Sequence, residues 1–250
     1  MPARSPNDGA ASVPVGGEAA GRAGQFGPDA YVDWRTTSLG GITEHLERRL
    51  ILRLAGEVAG RAVLDVGCGD GALTLALQRN GAARVVGCDP DPRMIARAGA
   101  RAAREKAGIG YAVARAEHLP FPGESFDIVT IITVLAFVPQ PQVALREIAR
   151  VLKPGGRLVI GDLGKWSLWA ASRRIRGRLG AAMWSAARFR SAAELRALTE
   201  AAQLRVEHIS GAVYYPRSGL IARLMAGVDP ILGELTTFGA AFLAVRARKP

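Results

Sequence analysis

Two acids and a glycine turn carry the spacing of a ligand site. Residues 63–71 read Val63-Leu64-Asp65-Val66-Gly67-Cys68-Gly69-Asp70-Gly71, an apolar run holding one carboxylate and ending in glycines at alternate positions. With no Cβ atoms in the way, a ligand can lie against the main chain at Gly67 and Gly69, where the next helix begins with outward-facing N–H groups. A nucleotide-type cofactor is expected there, although a bare glycine pattern also suits dinucleotide-binding enzymes. Asp65 separates the two cases. A carboxylate two residues before the first glycine repels a pyrophosphate and pairs with a cationic ammonium group. A second acid, Asp89, closes the apolar run Val85-Val86-Gly87-Cys88-Asp89. Its distance of about 20 residues from the glycine turn is what one strand-helix-strand unit requires.

Other reactive residue types are sparse. His45, His118 and His208 are the three histidines, and His118, nearest a motif, reads as an exposed bystander, so no catalytic residue is nominated. Cys68 and Cys88 lack the paired spacing of a zinc site and read as small buried filler beside the ligand, so no metal is expected.

The elements that must position these residues alternate. Apolar strand candidates lie at 62–66, 84–88, 110–114, 127–132 and 157–161, with helical stretches at 72–79, 92–107 and 141–152 between them. Such alternation predicts a parallel sheet covered on both faces. Lys153-Pro154-Gly155-Gly156 is expected to end a helix and turn into the fifth strand. A further helix at 192–202 precedes strand candidates at 205–213 and 239–246. Residues 1–28 are rich in Gly, Ala, Pro and Ser without a period and read as a disordered tail, leaving 29–250 as one domain. No run reaches the roughly 20 apolar residues of a membrane span and no signal peptide is evident, so the cytoplasm is the expected compartment.

After Asp89 come Ala116-Glu117-His118-Leu119-Pro120-Phe121-Pro122, Ser125-Phe126-Asp127-Ile128-Val129 and Val151-Leu152-Lys153-Pro154-Gly155-Gly156-Arg157-Leu158, in order. With these motifs, residues 31–162 resemble the class I S-adenosylmethionine-dependent methyltransferases, in the small-molecule branch that includes the quinone C-methyltransferases. The resemblance implies a Rossmann-like, doubly wound α/β fold whose mainly parallel seven-stranded sheet carries an antiparallel edge hairpin. It implies S-adenosyl-L-methionine as cofactor and methyl transfer to a small-molecule or lipid-like acceptor by in-line displacement. Asp65 would face the α-ammonium, Gly67 and Gly69 the backbone path, and Asp89, with Pro90 beside it, both ribose hydroxyls. Met94 would lie on the adenine face, Ala116 and Glu117 at its polar edge, and Thr133 at the amino-acid portion.

Two departures stand out. Many relatives carry an acid where this chain has Arg115, whose guanidinium only donates hydrogen bonds, and a histidine where it has Ala136-Phe137. The run Ile131-Ile132-Thr133-Val134-Leu135-Ala136-Phe137-Val138-Pro139 lacks the Asn/Asp-Pro-Pro-aromatic grip of nucleic-acid amine methylases. Leu135 and Phe137 are expected to wall the acceptor pocket or pack the next helix. The formal charge of +11 attracts phosphates without identifying one, and a nucleic-acid substrate is disfavoured.

Two segments are expected to close over the site. Residues 29–57, with Tyr31-Val32-Asp33-Trp34-Arg35, read as a helical cover. Residues 163–190 hold Trp166, Trp169 and Trp184 with seven basic residues and no acid, an insertion suited to lining the acceptor pocket or resting peripherally on an anionic membrane. The competing readings are an NAD(P)-binding oxidoreductase and a catalytically silent cofactor-binding protein.

Overall fold

The computed structural model describes residues 34–250. The tail expected at residues 1–28, and Tyr31, Val32 and Asp33 of the expected cover, lie outside the described residues. Helix α1 (Ser38–Ala55), inside the expected cover, is capped by Thr37, whose side chain accepts a hydrogen bond from Gly40 N at 3.0 Å. There follow β1 (Ala62–Val66), α2 (Ala72–Arg79), β2 (Arg84–Asp89), α3 (Pro92–Arg104), β3 (Ile109–Val113), β4 (Phe126–Ile132), α4 (Pro141–Val151) and β5 (Leu152–Leu163). After them come α5 (Leu168–Arg178), α6 (Ala182–Ala186), α7 (Ala192–Glu200), β6 (Arg205–Ala212), α8 (Gly219–Met225), α9 (Asp229–Leu235) and β7 (Phe242–Arg248).

The seven strands form one sheet in the order β3-β2-β1-β4-β5-β7-β6, parallel except for β7, which runs against both of its neighbours. The expected Rossmann-like fold is thereby met, with one refinement. β6 and β7 pair antiparallel at the edge, yet α8 and α9 lie between them in sequence, so they are not a tight hairpin. The expected turn at Lys153-Pro154-Gly155-Gly156 is a bulge inside β5. Leu152 pairs with Phe126 and Arg157 with Ile128, so four residues of β5 stand opposite Asp127 alone.

Strand order reverses between β1 and β4, which opens a crevice beyond their carboxyl ends. Side-chain alternation then decides what faces it. Leu64, Val66, Val129 and Ile131 point to the face covered by Leu145 and Ile148 of α4. Val63 and Ile128 point to the other face, against Leu46, Leu50 and Leu54 of α1. Asp65 and Thr130, two residues on from Val63 and Ile128, therefore share the α1 side and are register partners.

The insertion after β5 is tied to the sheet by a buried ion pair. Arg190 Nη1 lies 2.6 Å from Asp162 Oδ2, and burial raises the Asp162 carboxyl to about 6 while Arg190 holds it down. Arg190→Leu is expected to lower stability by about 3 kcal/mol at pH 8, because a buried carboxylate is left unpaired. The deficit shrinks at pH 5, where Asp162 takes a proton, and urea midpoints at the two pH values check it.

Candidate active site

The crevice widens into a cleft of about 1000 Å³. All nine residues anticipated for the cofactor line it: Asp65, Gly67, Gly69, Asp89, Pro90, Met94, Ala116, Glu117 and Thr133. Asp65 is 2% exposed, and its Oδ1 accepts a hydrogen bond from Thr130 Oγ1 at 2.7 Å. Its Oδ2 is buried without a hydrogen-bond partner among the described residues. Burial raises this carboxyl to about 7, against the Thr130 bond that favours the charged form, and nearby Asp89 adds to the rise. A buried acid with one idle oxygen is poised for a cation.

Backbone geometry makes room for that cation's neighbours. Gly67 sits at φ 71°, and a Cβ there would overlap Val134 Cγ2 in the loop leaving β4. Gly69 sits at φ 54°, and no heavy atom lies within 4 Å of where its Cβ would stand. The glycine turn is held against β2 by Gly67 N and Cys68 N, which donate to Cys88 O at 2.7 and 2.9 Å. Asp89 Oδ2 accepts from Gly69 N at 3.0 Å and Oδ1 from Asp91 N at 2.9 Å. Burial raises the Asp89 carboxyl and these two donors oppose the rise. Each oxygen keeps a lone pair for a hydroxyl. Thr133 adopts φ 58°, unusual for a β-branched residue, and its N–H donates to Gly161 O at 2.7 Å.

In the loop after β3, Arg115 is exposed and reaches Glu117 Oε1 at 3.4 Å. Burial pushes the Cys68 thiol up and the Cys88 thiol up to about 12, so both stay neutral and unreactive. Among the described residues, no histidine lines the cleft, and His118 is exposed as expected. Leu135 is buried in the core, whereas Phe137 is 42% exposed and lines the cleft.

The cover docks on the glycine turn itself. Arg35 pairs with the buried carboxylate of Asp70 and lies 3.3 Å from Glu44, while Arg101 of α3 reaches Asp70 from the other side. Glu44, Glu47, Arg48 and Ile51 share one face of α1 at helical spacing and line the cleft, as do Trp169, Arg173 and Arg176 of α5. Trp169 was named in the insertion expected to line the pocket, and the others were not anticipated individually. The i, i+3, i+4, i+7 stripe on α1 was present in the sequence and could have revealed the first group.

A family model described as a methyltransferase domain matches residues 64–160. A ubiquinone biosynthesis O-methyltransferase from Xanthomonas oryzae pv. oryzae is 34% identical over 168 residues, which cover 64% of this chain and 69% of that protein. The chain belongs to the class I S-adenosylmethionine-dependent methyltransferases. A demethylmenaquinone methyltransferase from Tropheryma whipplei is 44% identical over 113 residues, 45% of this chain, and the match spans about half of that relative, 46% of its length. In fold alone, this methyltransferase is similar to an S-adenosylmethionine-dependent methyltransferase from Thermotoga maritima, with a TM-score of 0.68 and 23% identity over 89% of this chain and 95% of that one.

The methyltransferase cofactor carries an α-ammonium and a ribose, and the residues present fit it. Asp65 Oδ2 offers an unpartnered buried charge, and the open space beside Gly69 leaves the main chain approachable.

Proposed function

We propose that this chain transfers a methyl group from S-adenosyl-L-methionine to a small, partly apolar acceptor. The idle, buried oxygen of Asp65 beside the glycine turn is the observation that carries the reading, because it suits an ammonium and opposes the pyrophosphate of NAD(P). Asp65 then takes the α-ammonium and Thr133 the amino-acid portion. Gly67 and Gly69 give the backbone path, and Asp89 with Pro90 the ribose. Met94, Ala116 and Glu117 hold the adenine, with the Glu117 carboxylate as the acceptor that Arg115 cannot be.

The cofactor supplies a methyl on a sulfonium, a good leaving group for in-line displacement. The chain's own part is orientation. Asp65 and Asp89 fix opposite ends of the cofactor, while Trp34, Phe137 and Trp184 shield the acceptor end from water. Two relatives are named for demethylmenaquinone and for ubiquinone biosynthesis, and the aromatic wall here suits a flat acceptor.

The test is calorimetric titration of S-adenosylhomocysteine and NADH into the native chain and Asp89→Ala. Binding of S-adenosylhomocysteine in the micromolar range, weakened about tenfold or more in Asp89→Ala, is expected. NADH binding in its place would sink the reading.

A further inference from the structure

Beyond the cofactor residues, the cleft is walled by aromatics and by Arg173, Arg176 and Arg217. Trp169 is 2% exposed and its Nε1 donates to Tyr215 O at 2.7 Å, so the indole is a fixed plate. The Arg173 guanidinium lies 5.0 Å from the Trp169 ring and 4.7 Å from the Trp184 ring, held between two indoles. Arg217, from the segment after β6, lies 5.5 Å from the same Trp169 ring. Arg176 stands one turn beyond Arg173 on α5 and also lines the cleft.

Arg35 and Arg101 meet Asp70, and Arg190 meets Asp162. Here, among the described residues, no carboxylate comes within 4 Å of Arg173, Arg176 or Arg217. Glu47, across the cleft on α1, is the acid whose charge reaches Arg173, and it is itself raised to about 7 by burial, against the pull of Arg173. Burial lowers Arg173 to about 10, with Arg217 and Arg176 adding to the fall, so it stays charged at neutral pH among two other cations. Three guanidiniums and the buried acid Glu47 line this tryptophan-walled end of the cleft, which leaves an excess of positive charge.

We propose that this end of the cleft is an anion-binding subsite in which Arg173 and Arg217 hold a carboxylate or phosphate borne by a flat, apolar methyl acceptor. Calling the ligand an acceptor rests on the methyltransferase reading above; the anion site itself does not. The indoles hold the guanidiniums in place and wall the apolar ring, and the guanidinium forks take the anion through charge-assisted hydrogen bonds. Because the guanidiniums are already fixed against rings, little side-chain freedom is lost when the anion arrives.

Three probes of one shape test it: 1-naphthyl phosphate, 1-naphthoate and neutral 1-naphthol, titrated calorimetrically at pH 7 into the chain saturated with S-adenosylhomocysteine. The anionic probes are expected to bind the native chain roughly tenfold to a hundredfold more tightly than naphthol. Whichever of phosphate and carboxylate binds tighter identifies the headgroup. Arg173→Gln should abolish that preference and Arg217→Gln should reduce it, while S-adenosylhomocysteine affinity stays within about twofold, as expected for a subsite apart from the cofactor residues. Equal affinity of the three probes for the native chain overturns the proposal without any variant, and so does an unchanged preference in Arg173→Gln. Failure of S-adenosylhomocysteine to bind the native chain would instead remove the methyltransferase reading, and the probes titrated alone would still decide the anion site.

Discussion

Asp65→Asn is expected to weaken S-adenosylhomocysteine binding by about a hundredfold or more while making the ligand-free protein more stable. Both effects have one cause. In the free protein the Asp65 carboxyl is raised from 3.8 to about 7, chiefly by burial, so its charge is an unrelieved cost until a cation arrives. Between those two values the native state binds more protons than the unfolded chain, and the stability that neutral Asp65 contributes below pH 3.8 is lost as pH rises through about 7. At ~1.4 kcal/mol per pKa unit, the penalty at pH 8 is a few kcal/mol. An amide keeps an acceptor for Thr130 and carries no charge, so the variant escapes the penalty and loses the ammonium's partner. Thermal midpoints of the two proteins should therefore coincide near pH 4, separate as pH rises to about 7, and run parallel above. Native affinity for S-adenosylhomocysteine should fall about tenfold per unit below pH 7, and that of the asparagine variant should be flat by comparison. Affinity in Asp65→Asn within about twofold of native would show that the ammonium is bound elsewhere.

The two glycines of the turn should fail in different ways. Gly67→Ala places a methyl in Val134 and forces φ 71° on an L residue, so overpacking and backbone strain add. A loss of about 3 kcal/mol in stability is expected, with ligand binding lost because the loops from β1 and β4 move apart. Gly69→Ala meets nothing within 4 Å and bears only the strain of φ 54°, about 1 kcal/mol. Its methyl enters the open space where a ligand would approach the main chain, so S-adenosylhomocysteine affinity should drop about thirtyfold or more in a protein that melts near the native midpoint. Urea denaturation and calorimetry on the pair separate the two. Native-like affinity in Gly69→Ala would mean that nothing packs against that backbone.

The half of the cleft around Asp65 and the glycine turn was legible in the sequence because its signals are local. Asp65, Gly67 and Gly69 lie within five residues, and strand parity places Asp65 on the α1 side with no tertiary information. The other half was legible only in part: the insertion holding Trp169 was expected to line a pocket, but Glu47, Arg173 and Arg217 join it only in the folded chain. Helices α8 and α9 escaped for a different reason. Their large apolar residues Leu220, Leu224, Ile231 and Leu235 face outward, while Asp229 is fully buried and accepts from Val213 N and Tyr214 N at 3.0 and 2.8 Å. A pattern reader that sends leucine inward and aspartate outward finds no helix face there. Helix α5 inverts the rule as well, with Leu168 and Ile175 exposed.

The place of β7 in the sheet sets an order of assembly. Strands β1 to β5 can associate with partners already synthesised, but β6 borders nothing except β7, which is made some thirty residues later. Until residues 242–248 emerge, β5 presents an unpaired edge and β6 has no sheet to join. During translation the half around Asp65 and the glycine turn can therefore form first, while β6 and the edge of β5 stay open to association with other chains until β7 threads between them.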